Sequence, residues 1–224
     1  MGVKRMSMNF DQARFNMVEQ QVRPWDVLDE RVLQLLETTH REDFVPVRYR
    51  KMAFTDMAIP LDHGQTMMNP VVEGRLLQSL ELKPDETVLE VGTGSGFITA
   101  CLAQMAKHVV SVDIHEQFSN EVAARLKEKE IHNVEFETGN VMTGWQPEQA
   151  HDVLVVTGSV PDIPDHFRGW VNPGGRIFVV CGEEPAMEAK LLTKLNATEW
   201  SEESLFETNL AGLVDAEKVP EFEF

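Results

Sequence analysis

Between residues 88 and 97 the chain reads Val-Leu-Glu-Val-Gly-Thr-Gly-Ser-Gly-Phe, a glycine-rich turn set between a β-rich run and a helical one. Glycines in such a turn let the backbone bend tightly and admit a ligand close to the main chain. Counted from Gly92, the third glycine of a G-x-G-x-x-G dinucleotide fingerprint falls on Phe97. The pattern here is E-x-G-x-G-x-G, which argues against NAD. Asp113 directly follows the next β-rich run, HVVSV, where a carboxylate accepts hydrogen bonds from both hydroxyls of a ribose. Amides at the start of the helix after the turn favour a carboxylate on the same ligand. Glu90 is placed either to orient the turn or to meet an ammonium. S-adenosylmethionine carries adenosine, carboxylate and ammonium together, and these residues imply it as cofactor. A glycine turn with nothing bound would not account for an acid at position 113.

The elements that must hold these residues alternate. TVLEV (87–91), HVVSV (108–112), NVEFE (133–137), DVLVV (152–156) and RIFVV (176–180) are short β-rich runs, with helical patterns at 97–106 and 115–129. Apolar strands alternating with helices imply a parallel sheet covered on both faces, an α/β doubly wound architecture. Ahead of it, 9–22 and 29–38 have the apolar spacing of amphipathic helices, with Asp29 as a cap for the second and Pro24 between them. Asn69-Pro70 is a cap and first-turn pair for a helix over VVEGRLLQSL. Residues 39–68 are turn-rich, and a segment of that length without regular structure is often functional. The stretches MEAKLLTKLN and ATEWSEESLFETNL suit a helix or an antiparallel pair of edge strands, of which strands are the expectation, and EKVPEFEF suits a frayed acidic end.

Composition narrows the partners. The 224 residues are 42% hydrophobic and 25% charged, enough apolar matter for a core. Twenty basic and thirty-seven acidic residues leave a formal charge of -17, which opposes phosphate binding and excludes nucleic acid as an expected partner. The excess acid suits a solvated face or the steering of a cationic ligand. Cys101 and Cys181 stand inside apolar runs and read as buried free thiols, without disulfide or metal spacing. No leader pattern precedes the first helix and no apolar stretch is of membrane-spanning length, so a cytoplasmic location and no membrane partner are expected. The scattered histidines His108, His115, His132, His151 and His166 show no metal-ligand spacing, and no metal is expected.

From about Arg31 to Gly182, through HREDFVP, MAIPLDHGQT, VLEVGTGSGFITA, NVEFETGN, HDVLVVTGSVPDIP and NPGGRIFVVCG, the chain resembles the protein-L-isoaspartate O-methyltransferases, a family of Rossmann-like S-adenosylmethionine-dependent enzymes. DHGQT ahead of the glycine loop is more diagnostic than the loop. The resemblance implies that Gly92, Thr93, Gly94, Ser95 and Gly96 line the methionine end of the cofactor. It places Asp113 at the ribose and Gly139 and Asn140 near the adenine, with Ile114 among the cofactor-binding residues. Asn140 stands where the family commonly has Asp, and keeps a carbonyl acceptor while gaining donors.

The acceptor side departs from the pattern. Where the family reads G-Q-T-I-S-x-P, this chain has Gly64-Gln65-Thr66-Met67-Met68-Asn69-Pro70, so that Met68 replaces a serine hydroxyl with a thioether that donates nothing. The family's V-x-F-V-P-L-like strand is answered by FETNLAGLVDA at 206–216. A carboxylate acceptor is therefore expected, on an isoaspartyl peptide or another molecule, with Thr66 and Gln65 as its polar contacts. Were the acceptor a hydroxyl or amine, His63 beside Asp62 would be the base. Arg41, Arg48, Arg50 and Lys51 read as a basic surface cluster able to guide an acidic acceptor. Residues 1–68 are expected to form N-terminal helices and an acceptor-site segment packed on a cofactor core of 69–224, in one compact domain. The rival functions are a binding module without turnover and a methyltransferase for a different small molecule.

Overall fold

The computed structural model describes residues 8–216, so the start of the chain, read above as carrying no leader pattern, and the EKVPEFEF expectation fall outside the described residues. Helix α1 (Phe10–Met17) is capped by the Asn9 side chain and continues through a π-turn, Val18–Val22, into a short 3-10 turn at Arg23–Trp25, where Pro24 ends it. Helix α2 (Glu30–Thr38) begins where Asp29 accepts a hydrogen bond from the Arg31 N–H at 2.8 Å, the expected cap. The 39–68 stretch folds into 3-10 turns and a small hairpin of β1 (Ile59–Pro60) and β2 (Thr66–Met67). Helix α3 (Pro70–Ser79) starts at the predicted place with a different cap. The Asn69 amide donates to Asp56 Oδ1, and the same oxygen takes the Val71 N–H, because the turn ahead of β1 brings a stronger acceptor to the helix start.

Then strand and helix alternate: β3 (Thr87–Val91), α4 (Phe97–Met105), β4 (His108–Asp113), α5 (Glu116–Glu128), β5 (Val134–Thr138), β6 (His151–Val160), α6 (Asp165–Gly169), β7 (Val171–Glu183), β8 (Ala186–Lys194) and β9 (Trp200–Thr208). The seven long strands order as β5-β4-β3-β6-β7-β8-β9, parallel as far as β7 and antiparallel through β8 and β9. Both the doubly wound sheet and its antiparallel C-terminal edge match the sequence expectation.

Alternation along each strand sorts the core into two layers. Val88, Val109, Val153, Val155 and Phe178 face the layer of α2 to α5, which includes Leu36, Leu76, Phe97 and Val122. Leu89, Val110, Val112, Leu154 and Ile177 face a thinner layer built on Val141, Phe167 and Trp170. Helices α4 and α5 cover one face and α6 the other, so the winding reverses between the adjacent strands β3 and β6, at their carboxyl ends. Clefts form at that reversal because the loops part there.

Two buried ion pairs fasten the N-terminal segment. Arg14 grips Glu42, and Arg41, 0% exposed, meets Glu73 Oε2 at 2.8 Å while donating to Ala53 O and Met68 O at 2.5 Å each. Arg41 therefore leaves the expected surface cluster, since its neighbours in the turns close over it; Arg48, Arg50 and Lys51 do not share its burial. Burial pushes the Glu73 carboxyl above its ordinary range, with Arg41 opposing. Cys101 is buried as expected; Cys181 is only partly buried, because it lies near the end of β7. Among the described residues no helix is long and apolar enough to cross a membrane, and no group of histidine, cysteine and acidic side chains could hold a metal.

Candidate active site

At the reversal point the chain leaves β3 through Gly92–Gly96 and enters α4. The Ser95 hydroxyl accepts the Phe97 N–H, and Gly96 N–H closes onto Thr93 O at 2.9 Å. Gly96 has φ +81°, and a Cβ there would stand 2.3 Å from Val122 Cγ1, so only glycine lets α5 lie against the turn. At Gly94, φ +49°, a Cβ would meet only Leu61 Cδ1 at 3.6 Å; the space it leaves belongs to the cleft. Gly96→Val is expected to cost several kcal/mol through that overlap and the backbone strain, read as a lower urea midpoint, whereas Gly94→Ala meets no overlap, should cost only the backbone strain of a left-handed alanine, about 1 kcal/mol, and should weaken ligand binding.

A cleft of about 660 Å³ opens over the turn. Of the predicted residues it is lined by Gln65, Thr66, Gly92, Gly94, Asp113, Ile114, Gly139 and Asn140. Glu90, Thr93, Ser95 and Met68 line a smaller adjoining cavity of about 300 Å³, which shares Thr66, Gly92, Gly94 and Thr157 with the cleft. Gly96 lies behind, as the first cap of α4. His63 stands at the exposed turn before Gln65 and lines neither cavity.

Asp113, 7% exposed, takes the Gly94 N–H on Oδ2 at 3.0 Å and the His115 N–H on Oδ1 at 2.9 Å. It thus fixes the glycine turn relative to β4. Asp113→Asn keeps the shape but offers one oxygen to two N–H donors, and leaves one of them facing an amide N–H. A stability loss of about 1–3 kcal/mol should follow, visible as a lower melting temperature, together with loss of affinity for an adenosyl ligand. Asn140 is committed within the protein: Oδ1 accepts the Met142 N–H at 2.9 Å and Nδ2 donates to Asp215 at 2.6 Å.

Glu90 is fully buried. Thr99 and Ser111 hydroxyls donate to its Oε2 at 2.6 Å each, and Thr93 in turn bonds the Ser111 hydroxyl at 2.7 Å. Its Oε1 has no hydrogen-bond partner among the described residues. Desolvation, with a smaller contribution from the nearby Asp113, pushes the Glu90 carboxyl up to about 8 against the pull of the two hydroxyls. A carboxylate shifted this far, beside a cleft, marks a functional centre better than any single glycine does.

Several residues escaped sequence reasoning. Thr157, at the carboxyl half of β6, sets Oγ1 2.6 Å from Gly92 O and 2.9 Å from Val91 O, holding the turn from the neighbouring strand. Leu210–Val214 form one wall of the cleft. This segment lies along β6 through Ser159 N–H to Ala211 O and Leu213 N–H to Ser159 O, both 2.9 Å. The strand-end rule for open α/β sheets could have found Thr157; 210–214 fall within FETNLAGLVDA, singled out on the acceptor side, but nothing periodic points to them as a wall of this cleft.

Sheet order, glycine turn and acid at the end of β4 together define a Rossmann-like methyltransferase. The sequence model of the family described as Protein-L-isoaspartate(D-aspartate) O-methyltransferase (PCMT) matches residues 13–218. A protein-L-isoaspartate O-methyltransferase of Opitutus terrae is 35% identical over 192 residues, covering 84% of this chain and 82% of the relative. The chain belongs to the protein-L-isoaspartate O-methyltransferase family. Among solved structures, a Plasmodium falciparum protein assigned to this activity, in complex with S-adenosyl-L-homocysteine, superposes with a TM-score of 0.77 at 18% identity, covering 92% of this chain and 99% of that one. A second protein-L-isoaspartate O-methyltransferase superposes at 0.73 and 21% identity, over 90% of this chain and 65% of that one. Both share the fold.

Proposed function

We propose that this chain binds S-adenosylmethionine in the cleft and transfers its methyl group to the carboxylate of an isoaspartyl residue in a peptide or protein. The observation that carries the proposal is Glu90, a buried acid with one unpaired oxygen beside the glycine turn. A cationic donor such as the cofactor's ammonium satisfies it, so the residues present fit the cofactor. The Plasmodium protein's complex with S-adenosyl-L-homocysteine supports the same ligand class.

Gly92, Thr93, Gly94, Ser95 and Gly96 hold the methionine end, with backbone N–H groups available to its carboxylate. Asp113 has lone pairs left for ribose hydroxyls after Gly94 and His115 are served, and Ile114, Gly139 and Asn140 flank the base. When bound, the cofactor supplies an electrophilic methyl on a sulfonium. The protein's task is to set the acceptor oxygen in line with it, which is positioning work. A carboxylate is already ionised near pH 7 and needs no base, so His63 takes no proton in this scheme. Gln65 and Thr66 donate from the hairpin to the acceptor carboxylate, while Met68 fills the adjoining cavity without donating. In this scheme residues 1–68 carry the acceptor side and 69–224 the cofactor. The acidic surface disfavours nucleic acid, and the free thiols suit a reducing cytoplasm.

Incubation with methyl-labelled S-adenosylmethionine, an isoaspartyl peptide and a panel of small carboxylates tests the proposal. Label on the peptide supports it; label confined to a small molecule moves the acceptor; cofactor binding without transfer refutes the activity. Met68→Ser returns a hydroxyl to the acceptor side and is expected to raise isoaspartyl turnover by about tenfold, the worth of one hydrogen bond to an anion.

A further inference from the structure

The turn Asp62–Gly64 delivers Gln65 and Thr66 to the cleft. Within the turn, Leu61 N–H donates to Gln65 O at 2.8 Å and Gln65 N–H to Asp62 O at 3.1 Å. On the sheet side, besides the contacts of Leu61 and Asp62, it is held through His63. That ring lies flat on His115, centroids 4.2 Å apart and planes at 9°, and meets Phe118 edge-on at 5.5 Å. Gln117 Nε2 faces the carboxylates of Glu121 at 2.8 Å and Asp62 at 3.4 Å, which fixes Gln117 Oε1 toward His63. An amide oxygen only accepts, so His63 Nε2 donates across the 2.9 Å contact. His63 holds φ +55°, a left-handed conformation that a side chain keeps only with support.

The partner ring belongs to the other half of the site. His115 lines the cleft, its N–H binds Asp113, and its Nε2 is buried without a hydrogen-bond partner among the described residues. One stack therefore joins the residue two before Gln65 to the residue two after Asp113.

We propose that His63 is a positioning residue for methyl transfer: stacked on His115, it locks the turn bearing Gln65 and Thr66 onto the shelf that holds the ribose. The inference rests on the cofactor placement proposed above. Cofactor arriving at Asp113 and His115 sets where the acceptor contacts stand, so the two substrates communicate through two imidazole rings. Because His63 is itself exposed, its removal spares the core.

The test uses the full chain with His63→Ala and His63→Phe, the second keeping a ring to stack. His63→Ala should bind S-adenosyl-L-homocysteine by calorimetry within about threefold of wild type and melt normally, yet lose about tenfold or more in kcat/KM for an isoaspartyl peptide, as a displaced contact does. His63→Phe should recover most of that loss. In wild type, adding S-adenosyl-L-homocysteine should shift the His63 ring resonance although that ring does not line the cleft. Wild-type turnover in His63→Ala, no rescue by phenylalanine, or an unmoved His63 resonance in a chain that binds the product each overturn the inference alone. A wild-type chain that binds no S-adenosyl-L-homocysteine overturns the cofactor placement and the inference with it. Binding without peptide methylation refutes the acceptor only, and the His63 resonance then decides.

Discussion

Glu90→Gln is expected to weaken binding of S-adenosyl-L-homocysteine by about 10–100-fold, the worth of a charge-assisted hydrogen bond in a buried site, and to abolish the pH dependence of that binding. The wild-type carboxyl, raised to about 8 by desolvation, carries a proton through the neutral range when no ligand is present. An ammonium needs the ionised form. Affinity should therefore climb as pH rises toward 8, and binding near pH 7 should release a proton. Calorimetry in buffers of different ionisation enthalpy measures that release directly. Glutamine retains an acceptor for Thr99 and Ser111 but has no proton to give up, so its binding should be flat with pH. Proton release that is equal in the two proteins would remove Glu90 from the cofactor site.

The same group sets a stability trend whose sign is opposite to the usual acid case. A carboxyl whose folded-state value lies above its ordinary 4.5 favours folding while both states are protonated, below that value, and the contribution is lost as pH rises toward 8. The full loss is on the order of 5 kcal/mol. In the absence of ligand Glu90→Gln should thus be more stable than wild type at pH 8 and weaker as a binder, a trade seen where a site stores strain for function.

Arg41→Met carries the second large effect. It strips the partner from a buried Glu73 and the donors from Ala53 O and Met68 O. Breaking one side of a buried pair costs about 3–5 kcal/mol because the other charge is left uncompensated. For a chain of this size that lowers the melting temperature by about 10 °C. Arg41→Met with Glu73→Leu should regain the part of the loss that came from the unpaired carboxylate, while the Ala53 and Met68 carbonyls remain without their donor. Activity should not return with it, because the carbonyl of Met68 stays untethered beside Thr66. A double variant with wild-type turnover would remove Arg41 from the positioning of the acceptor segment.

The contrast between Arg41 and Glu90 shows where sequence reading stops. Arg41 looks like one cation among four in a turn-rich stretch, and nothing in that stretch says that it is enclosed by Ala53, Met68 and Glu73. Burial is a property of chain returns that have no period. Glu90 stands out as a cofactor residue from its place before the turn, but its unpaired Oε1 and the titration that burial raises against the pull of the Thr99 and Ser111 hydroxyls belong to the packed site. His63 was legible only as a general base candidate. Its stack on His115 spans more than fifty positions of the chain.

What the sequence determined by itself is the local and periodic part: which runs are strands and which are helices, the bend at Gly92–Gly96, the acid after β4, and through them the architecture and cofactor class. Strand alternation and glycine φ freedom act over a few residues, so they leave a readable pattern. Only the tertiary structure decided which side chains meet at the reversal point. It laid Leu210–Val214 along β6 as a cleft wall, set Thr157 on the turn, exchanged Asn69 for Asp56 as the cap of α3, and enclosed Arg41. Those contacts depend on how distant segments pack against a twisted sheet, and packing is selected by the free energy of the whole chain rather than by any short stretch of it.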